Sequence, residues 1–348
     1  MTLHLLEWVM KNVPERSSHM FNRFKKKKRT VSIELNDFYI RALSFTEGEL
    51  DTTLLFEQAL PSGLVEEEVV QDEMALYDLL KTLVKEWNIS KHELRFFVPG
   101  HAVLMRTIEH PEELNMQEIK EYVEMELGET IHLPFEQPLI DMYDADPDDG
   151  VATLFAAPSE EVMQLMRLYE DVQLEPAVLD IRALCNIRFL KNIQMLDAHK
   201  TYLIADWSVN AVSICIYSDG NVDFLRYQPI ETEQKNWRYL PENTTVPYFY
   251  EGEISDYQMH LTNQTLELER ILNFYRYSLH KGEKAVNELV MMGDNPEMDF
   301  IMEKIGSTLE LPIRLIDNEI VKQHYPNFKA EHATLLGLSL REEAGHGS

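Results

Sequence analysis

Glycine is the first shortage: 13 in 348 residues, about half of an ordinary usage of roughly 7%. Few positions are therefore free to take left-handed backbone or to let a ligand approach the main chain closely. Cysteine is scarcer. Cys185 and Cys215 lie in apolar stretches and give no disulfide framework, which points to buried free thiols in a reducing compartment. No stretch reaches the ~18 apolar residues of a membrane helix. The first twenty residues place apolar side chains before basic ones, the reverse of a secretory signal. Cations are also few, 32 Lys and Arg against 60 Asp and Glu. That balance excludes a general nucleic-acid binder, because phosphate contacts need clustered basic residues. Wholesale disorder is excluded as well, since 45% of residues are apolar and 26% charged.

The charge is unevenly spread. Residues 1–30 hold eight Lys or Arg and two Glu, which leaves 24 basic and 58 acidic side chains for the other 318 residues. An acidic body thus carries a short basic arm. Residues 1–19 read either as an amphipathic lead through Leu3, Leu6, Trp8 and Met10 or as sequence ahead of a start at Met20. Neither they nor the Gly-His-Gly-Ser tail are expected to join the folded body.

Three short alternating runs follow, Val31–Leu35, Tyr39–Phe45 and Leu50–Gln58, and they read as a β-meander. Met74, Tyr77, Leu80, Val84 and Trp87 recur at helical spacing, and Leu94–Val98 returns as a strand. The block 102–181 has the order strand, helix, strand, strand, helix, strand, as in a small α+β module. Asn115 and Glu118 form a capping-box pattern within it, and Ser159 is placed to cap its second helix. From Tyr202 a second meander appears, with Asp219-Gly220 as its clearest hairpin turn. A long helix through Leu261–Leu279, a strand at Glu288–Met292, and helix, strand and final helix follow. The chain is therefore α/β, with two meander–helix–strand halves and a different module between them.

This is the element order of the actin-like ATPase fold, and the middle block is similar to the subdomain of that fold's cell-division and pilus branch. The residues resemble the type IV pilus assembly protein PilM family over about 31–342. Ile33-Glu34-Leu35-Asn36-Asp37-Phe38-Tyr39-Ile40-Arg41-Ala42-Leu43 aligns without a gap on the family's opening I-D-I-G-S-S-S-I-K-A-V. Met105-Arg106-Thr107-Ile108, the stretch Glu126–Ile131 with Pro134-Phe135, Leu139-Ile140-Asp141, Ala156-Ala157-Pro158, and Leu174-Glu175-Pro176 through Asp180 fit later segments in order. Ala333–Arg341 resembles the family's A-x-A-x-G-L-A-L-R ending. The implied organisation is a tag-like or flexible basic arm (1–29), a first half-domain (30–101), an inserted subdomain (102–181), a second domain with a C-terminal return helix (182–342), and a tail (343–348).

ATP binding in this fold needs glycine-containing turns, a Lys beyond the first turn, and a Gly-Gly pair beside the adenosine. Here those positions read Asn36, Arg41, Ser208 and Gly293-Asp294, while the carboxylates Glu34 and Asp206 remain. Asp37 adds negative charge beside a polyanion, and Phe38 and Tyr39 fill space that phosphates need. Glu34, Asn36, Arg41, Asp206, Ser208 and Gly293 are thus the remnant of a cofactor site, with ATP and Mg²⁺ disfavoured. The plain alternative makes Asn36 and Asp37 turn formers and Glu34 a solvated strand end. No metal-ligand spacing, Walker loop or nucleophile elbow appears.

The resemblance implies a cytoplasmic pilus-assembly scaffold, peripheral at the inner face of the membrane, that binds the cytoplasmic N-terminal peptide of a PilN-like membrane protein and contacts the assembly ATPase. The alternative is an active ATPase or kinase of the same fold. The implied peptide groove lies between the first and inserted subdomains, with Val103, Met105, Ile108 and Tyr122 as apolar candidates and Glu118, Glu121 and Glu124 as an acidic rim. Lys25, Lys26, Lys27, Lys28 and Arg29 would face the anionic inner leaflet.

Overall fold

A computed structural model describes residues 29–46, 49–144, 149–239 and 248–341. Lys25–Lys28 and the tail lie outside the described residues; Arg29 is exposed.

The first half begins with the antiparallel meander β1 (Arg29–Leu35), β2 (Tyr39–Thr46) and β3 (Glu49–Ala59). A minimal hairpin follows, β4 (Val65–Glu66) and β5 (Val69–Val70). Helix α1 (Glu73–Glu86) starts where the Asp72 side chain accepts the Ala75 N–H at 3.0 Å. Its Leu76, Leu80, Leu83 and Val84 are buried, while Met74 points outward, 78% exposed. β6 (Glu93–Phe97) then returns parallel to β1.

The inserted layer is the three-stranded sheet of β7 (Leu104–Glu109), β8 (Pro138–Tyr143) and β9 (Val151–Pro158), in the order β7-β9-β8, covered by α2 (Met116–Glu126). Asn115 and Glu118 make the expected reciprocal capping box. Helix α3 (Ser159–Asp171) follows, and β10 (Glu175–Asp180) pairs parallel with β6, as the fifth strand of the first sheet. Val162, Met166 and Tyr169 of α3 pack into the first half's core. The block expected over 102–181 is therefore divided: its last helix and strand complete the first half, because a parallel edge strand needs a crossover helix to reach it. Ser159 lies inside α3 and makes no cap; Pro158 takes the cap position.

Helix α4 (Arg182–Asn192) leads into β11 (Tyr202–Trp207), β12 (Ala211–Ser218) and β13 (Asn221–Pro229). A short hairpin, β14 (Trp237–Tyr239) with β15 (Tyr248–Tyr250), precedes α5 (Ile254–Asn273). β16 (Glu288–Gly293), α6 (Met298–Thr308), β17 (Ile313–Leu315), α7 (Asn318–His324) and α8 (Ala333–Ser339) finish the chain. The two large sheets have matching orders, β3-β2-β1-β6-β10 and β13-β12-β11-β16-β17. The duplication of element order is a duplication of topology. Among the described residues no helix is long and apolar enough to cross a membrane.

The halves meet where α8 crosses α4. Gly337 admits no side chain there: a Cβ would stand 2.6 Å from the Cys185 carbonyl carbon. Arg188 donates to the Gly337 carbonyl at 2.8 Å and to Asp180 at 2.9 Å, which ties the crossing to β10. Helix propensity alone favours Ala over Gly by about 1 kcal/mol. The backbone contact reverses the sign, so Gly337→Ala should destabilise the protein by about 1–3 kcal/mol, read as a lower urea midpoint with unchanged slope.

Candidate functional site

The cleft between the halves is bounded by the first turn (residues 36–39), the second turn (207–211) and the end of β16. Of the six candidate positions, Glu34, Asn36, Asp206, Ser208 and Gly293 line it, and Arg41 reaches it through Asp294. Asn36 closes the first turn on itself: its Oδ1 accepts the Phe38 and Tyr39 N–H groups at 2.8 and 2.9 Å. Those amides are no longer free for an anion. Asp37, 3% exposed, accepts the Glu67 and Glu68 N–H groups at 2.8 and 2.9 Å and the Asn210 side chain at 2.7 Å. It is more than a turn former, since it ties the first turn to the β4–β5 hairpin and to the second turn. Burial pushes its carboxyl up to about 6. Phe38 and Tyr39 enter the second half's aromatic core, against Tyr248 and Tyr239.

Arg41 is fully buried and stacks 3.6 Å above the Tyr39 ring. Its guanidinium donates to Asp294 at 3.0 Å, the Glu331 carbonyl at 3.2 Å, the Tyr239 hydroxyl at 2.9 Å, and Glu57. One side chain thus joins β2 and β3 of the first half to β14 and the end of β16 in the second. Asp294 stands where the family carries its second glycine and offers Arg41 an internal anion.

Glu34 is 2% exposed, so it is no solvated strand end. Arg182, at the start of α4, donates to Glu34 at 2.8 Å and lies 3.6 Å from Asp206. Asp206 also accepts from Asn186 at 3.0 Å and Thr334 at 3.2 Å. A guanidinium thereby bridges the two carboxylates that would hold Mg²⁺. Burial raises the Glu34 pKa, and Arg182 and Arg41 oppose that shift.

Ser208 folds its hydroxyl onto the Ala211 carbonyl at 3.1 Å, and Asn295 donates to its backbone oxygen at 2.6 Å. Gly293 has φ +109°, and a Cβ there would meet the Trp207 nitrogen at 2.6 Å. This glycine serves strand packing. The free space left among these residues is about 20 Å³, room for about one water; drug-sized ligands take roughly 300 Å³ or more. The residues present do not fit an adenine nucleotide. Glu57, Glu331 and His332 bring ligand atoms within 4.8 Å of one another, yet they do not fit a metal either. Arg41 already pairs with the carboxylates, and His332 Nδ1 accepts the Lys329 N–H at 3.1 Å, which leaves the ring proton on Nε2.

The peptide-groove candidates do not converge. Ile108 is core of the inserted layer, with Tyr122 against that core. Val103 and Met105 pack on the other side, against the first half's core. Alternation along β7 sends neighbours to opposite faces, which a linear reading of apolar residues misses. Glu118 is spent on its capping box, and Glu121 accepts from Gln117 at 3.0 Å on an exposed helix face. A separate groove, between the loop ahead of β8 and the start of α3, is lined by Pro134, Phe135, Glu136, Gln137, Pro158, Ser159, Glu160, Met163 and Arg167, with about 580 Å³ of free volume. Of these, Pro134 and Phe135 belong to a segment that resembles the family in sequence.

The paired five-stranded sheets and the interdomain cleft define an actin-like protein. Among solved structures, the PilM–PilN type IV pilus biogenesis complex is similar over 91% of this chain and 99% of that chain, at 16% identity and TM-score 0.67. A Bacteroides thetaiotaomicron protein with an actin-like ATPase fold covers 93% and 100%, at 13% identity and TM-score 0.52. The ethanolamine utilization protein EutJ of Carboxydothermus hydrogenoformans covers 90% and 89%, at 9% identity and TM-score 0.52. No curated protein matches the chain. Residues 32–341 match the family described as type IV pilus assembly protein PilM, and the chain belongs to that family.

Two outcomes are expected of the cleft. Arg41→Met leaves buried carboxylates without their cation and should cost about 3–5 kcal/mol in urea unfolding, with Arg41→Lys recovering only part. Asp37 has a folded pKa above its unfolded value, so its contribution is present at low pH and is lost as pH rises through about 6. The wild-type minus Asp37→Asn difference in unfolding free energy should therefore rise by about 1 kcal/mol from pH 7 to pH 5.

Proposed function

We propose that this PilM-family protein works in type IV pilus assembly as a scaffold that uses no nucleotide. One observation carries the reading: side chains of both halves fill the cleft, with Arg41 paired to Asp294 and Arg182 bridging Glu34 and Asp206. Calorimetry with Mg-ATP at millimolar concentration should give no binding heat and no rise in thermal midpoint. Saturable binding in the micromolar range would overturn the reading and restore the ATPase or kinase alternative.

The scaffold's partner is the cytoplasmic N-terminal peptide of a PilN-like membrane protein. Such a peptide would lie extended in the groove beside α3, with apolar side chains over Phe135 and Met163. The solved PilM–PilN complex, which shares this fold, supports that choice. The assembly ATPase is a further partner, and the basic run Lys25–Arg29 would hold the protein to the inner leaflet from the cytoplasmic side. In a pulldown, Met163→Glu should abolish capture of the peptide while Glu121→Lys leaves it intact. Equal capture by both variants would remove the groove from the proposal. Vesicles of anionic lipid should retain the full chain and release it when Lys25–Lys28 are changed to Gln.

A further inference from the structure

Domains joined through a small interface ordinarily move against each other. Here the interface holds a cross-domain charge cluster of unequal sign. Arg41 of β2 faces three carboxylates: Glu57 from the first half, and Asp294 and Glu331 from the second. Around it, Phe38 and Tyr39 of the first half are buried among Trp237, Tyr239 and Tyr248 of the second. Asp37 reaches Asn210, and Tyr227 of β13 lies so close to Gly100 that a Cβ there would meet its ring at 2.7 Å.

We propose that Arg41 is a built-in lock that fixes the two halves in one closed arrangement, taking the cross-linking role that a ligand between the halves would otherwise have. The lock is loaded. With the guanidinium present, Glu57 on one half and Asp294 on the other share a cation. Without it they face each other as half-buried like charges, and the favourable response is separation into water. The domain angle is then set by residues of the chain and does not answer to nucleotide concentration. This rests on the reading of the cleft as filled by the protein itself.

The test is an interdomain distance. Leu54 and Met259 are exposed, one on each half, and the native Cys185 and Cys215 are buried. Spin labels at Leu54→Cys and Met259→Cys should report one narrow distance distribution, unchanged by Mg-ATP. Adding Arg41→Met should shift it to longer and broader separations. Adding Glu57→Gln to that variant should bring it back part of the way, because one of the opposed charges is gone. A broad or two-peaked wild-type distribution would overturn the lock, as would an Arg41→Met distribution identical to wild type in a protein whose circular dichroism shows it folded. Should Arg41→Met not fold, hydrogen exchange on the wild type decides. The Phe38, Tyr39, Glu67 and Glu68 amides should exchange as slowly as those of β11, and faster exchange by local opening would overturn the proposal. Nucleotide that bound without moving the distance would refute the filled-cleft reading and leave the lock standing.

Discussion

A buried guanidinium organises this molecule. Arg41 has no contact with solvent, and its partners come from residues 57, 239, 294 and 331. Removing a long cation from water is costly, and that cost is offset only by well-directed acceptors around it. Every segment that supplies one is thereby held in place: β3, the aromatic hairpin β14–β15, the end of β16, and the turn before α8. The cation also stacks on Tyr39, which adds attraction through the ring face.

The cleft follows a simple exchange of charges. An actin-like site that holds Mg-ATP needs cations and amides for phosphate and carboxylates for the metal. This protein keeps the carboxylates and answers them with Arg182; it keeps a cation and answers it with Asp294. The amides of the first turn are answered by Asn36. These polar groups of the cleft find their partners within the chain, as burial demands. One oxygen is an exception: Glu34 Oε2 is buried without a partner, and the raised pKa of that carboxyl fits its incomplete compensation.

The glycine shortage acquires a structural sense from the same residues. Several glycines of the family's nucleotide site are gone, at Asn36, Ser208 and Asp294. Two that remain are required by close backbone contact, Gly293 against Trp207 and Gly337 against Cys185. Gly293 serves strand packing within the second half, and Gly337 serves the crossing of α8 and α4. Some of the chain's acids stand at the same interface: Glu68 and Glu331 line the cleft, Asp37 accepts from Asn210, and Glu57 pairs with Arg41.

Much of the fold was legible in sequence because strands and amphipathic helices announce themselves by period. Helices α1, α2 and α5 have one buried face and a polar one; the central meander strands are buried on both faces and showed instead as short β-branched and aromatic runs between turn residues. Helix α4 escaped because Ala183, Leu184, Cys185, Asn186, Ile187, Phe189 and Leu190 are buried around its whole circumference, which erases the helical period. The β14–β15 strands escaped because each is three residues long. The site divides in the same way. Sequence by itself determined that the phosphate turns lacked glycine and that Arg41 stood in the place of a lysine, since both are local facts about a strand and its turn. What Arg41 binds was decided by tertiary structure alone. Asp294 is 253 positions away, and Arg182 meets Glu34 across 148. Ion pairs carry no period along a chain; they exist only once two sheets have packed and water has left the space between them.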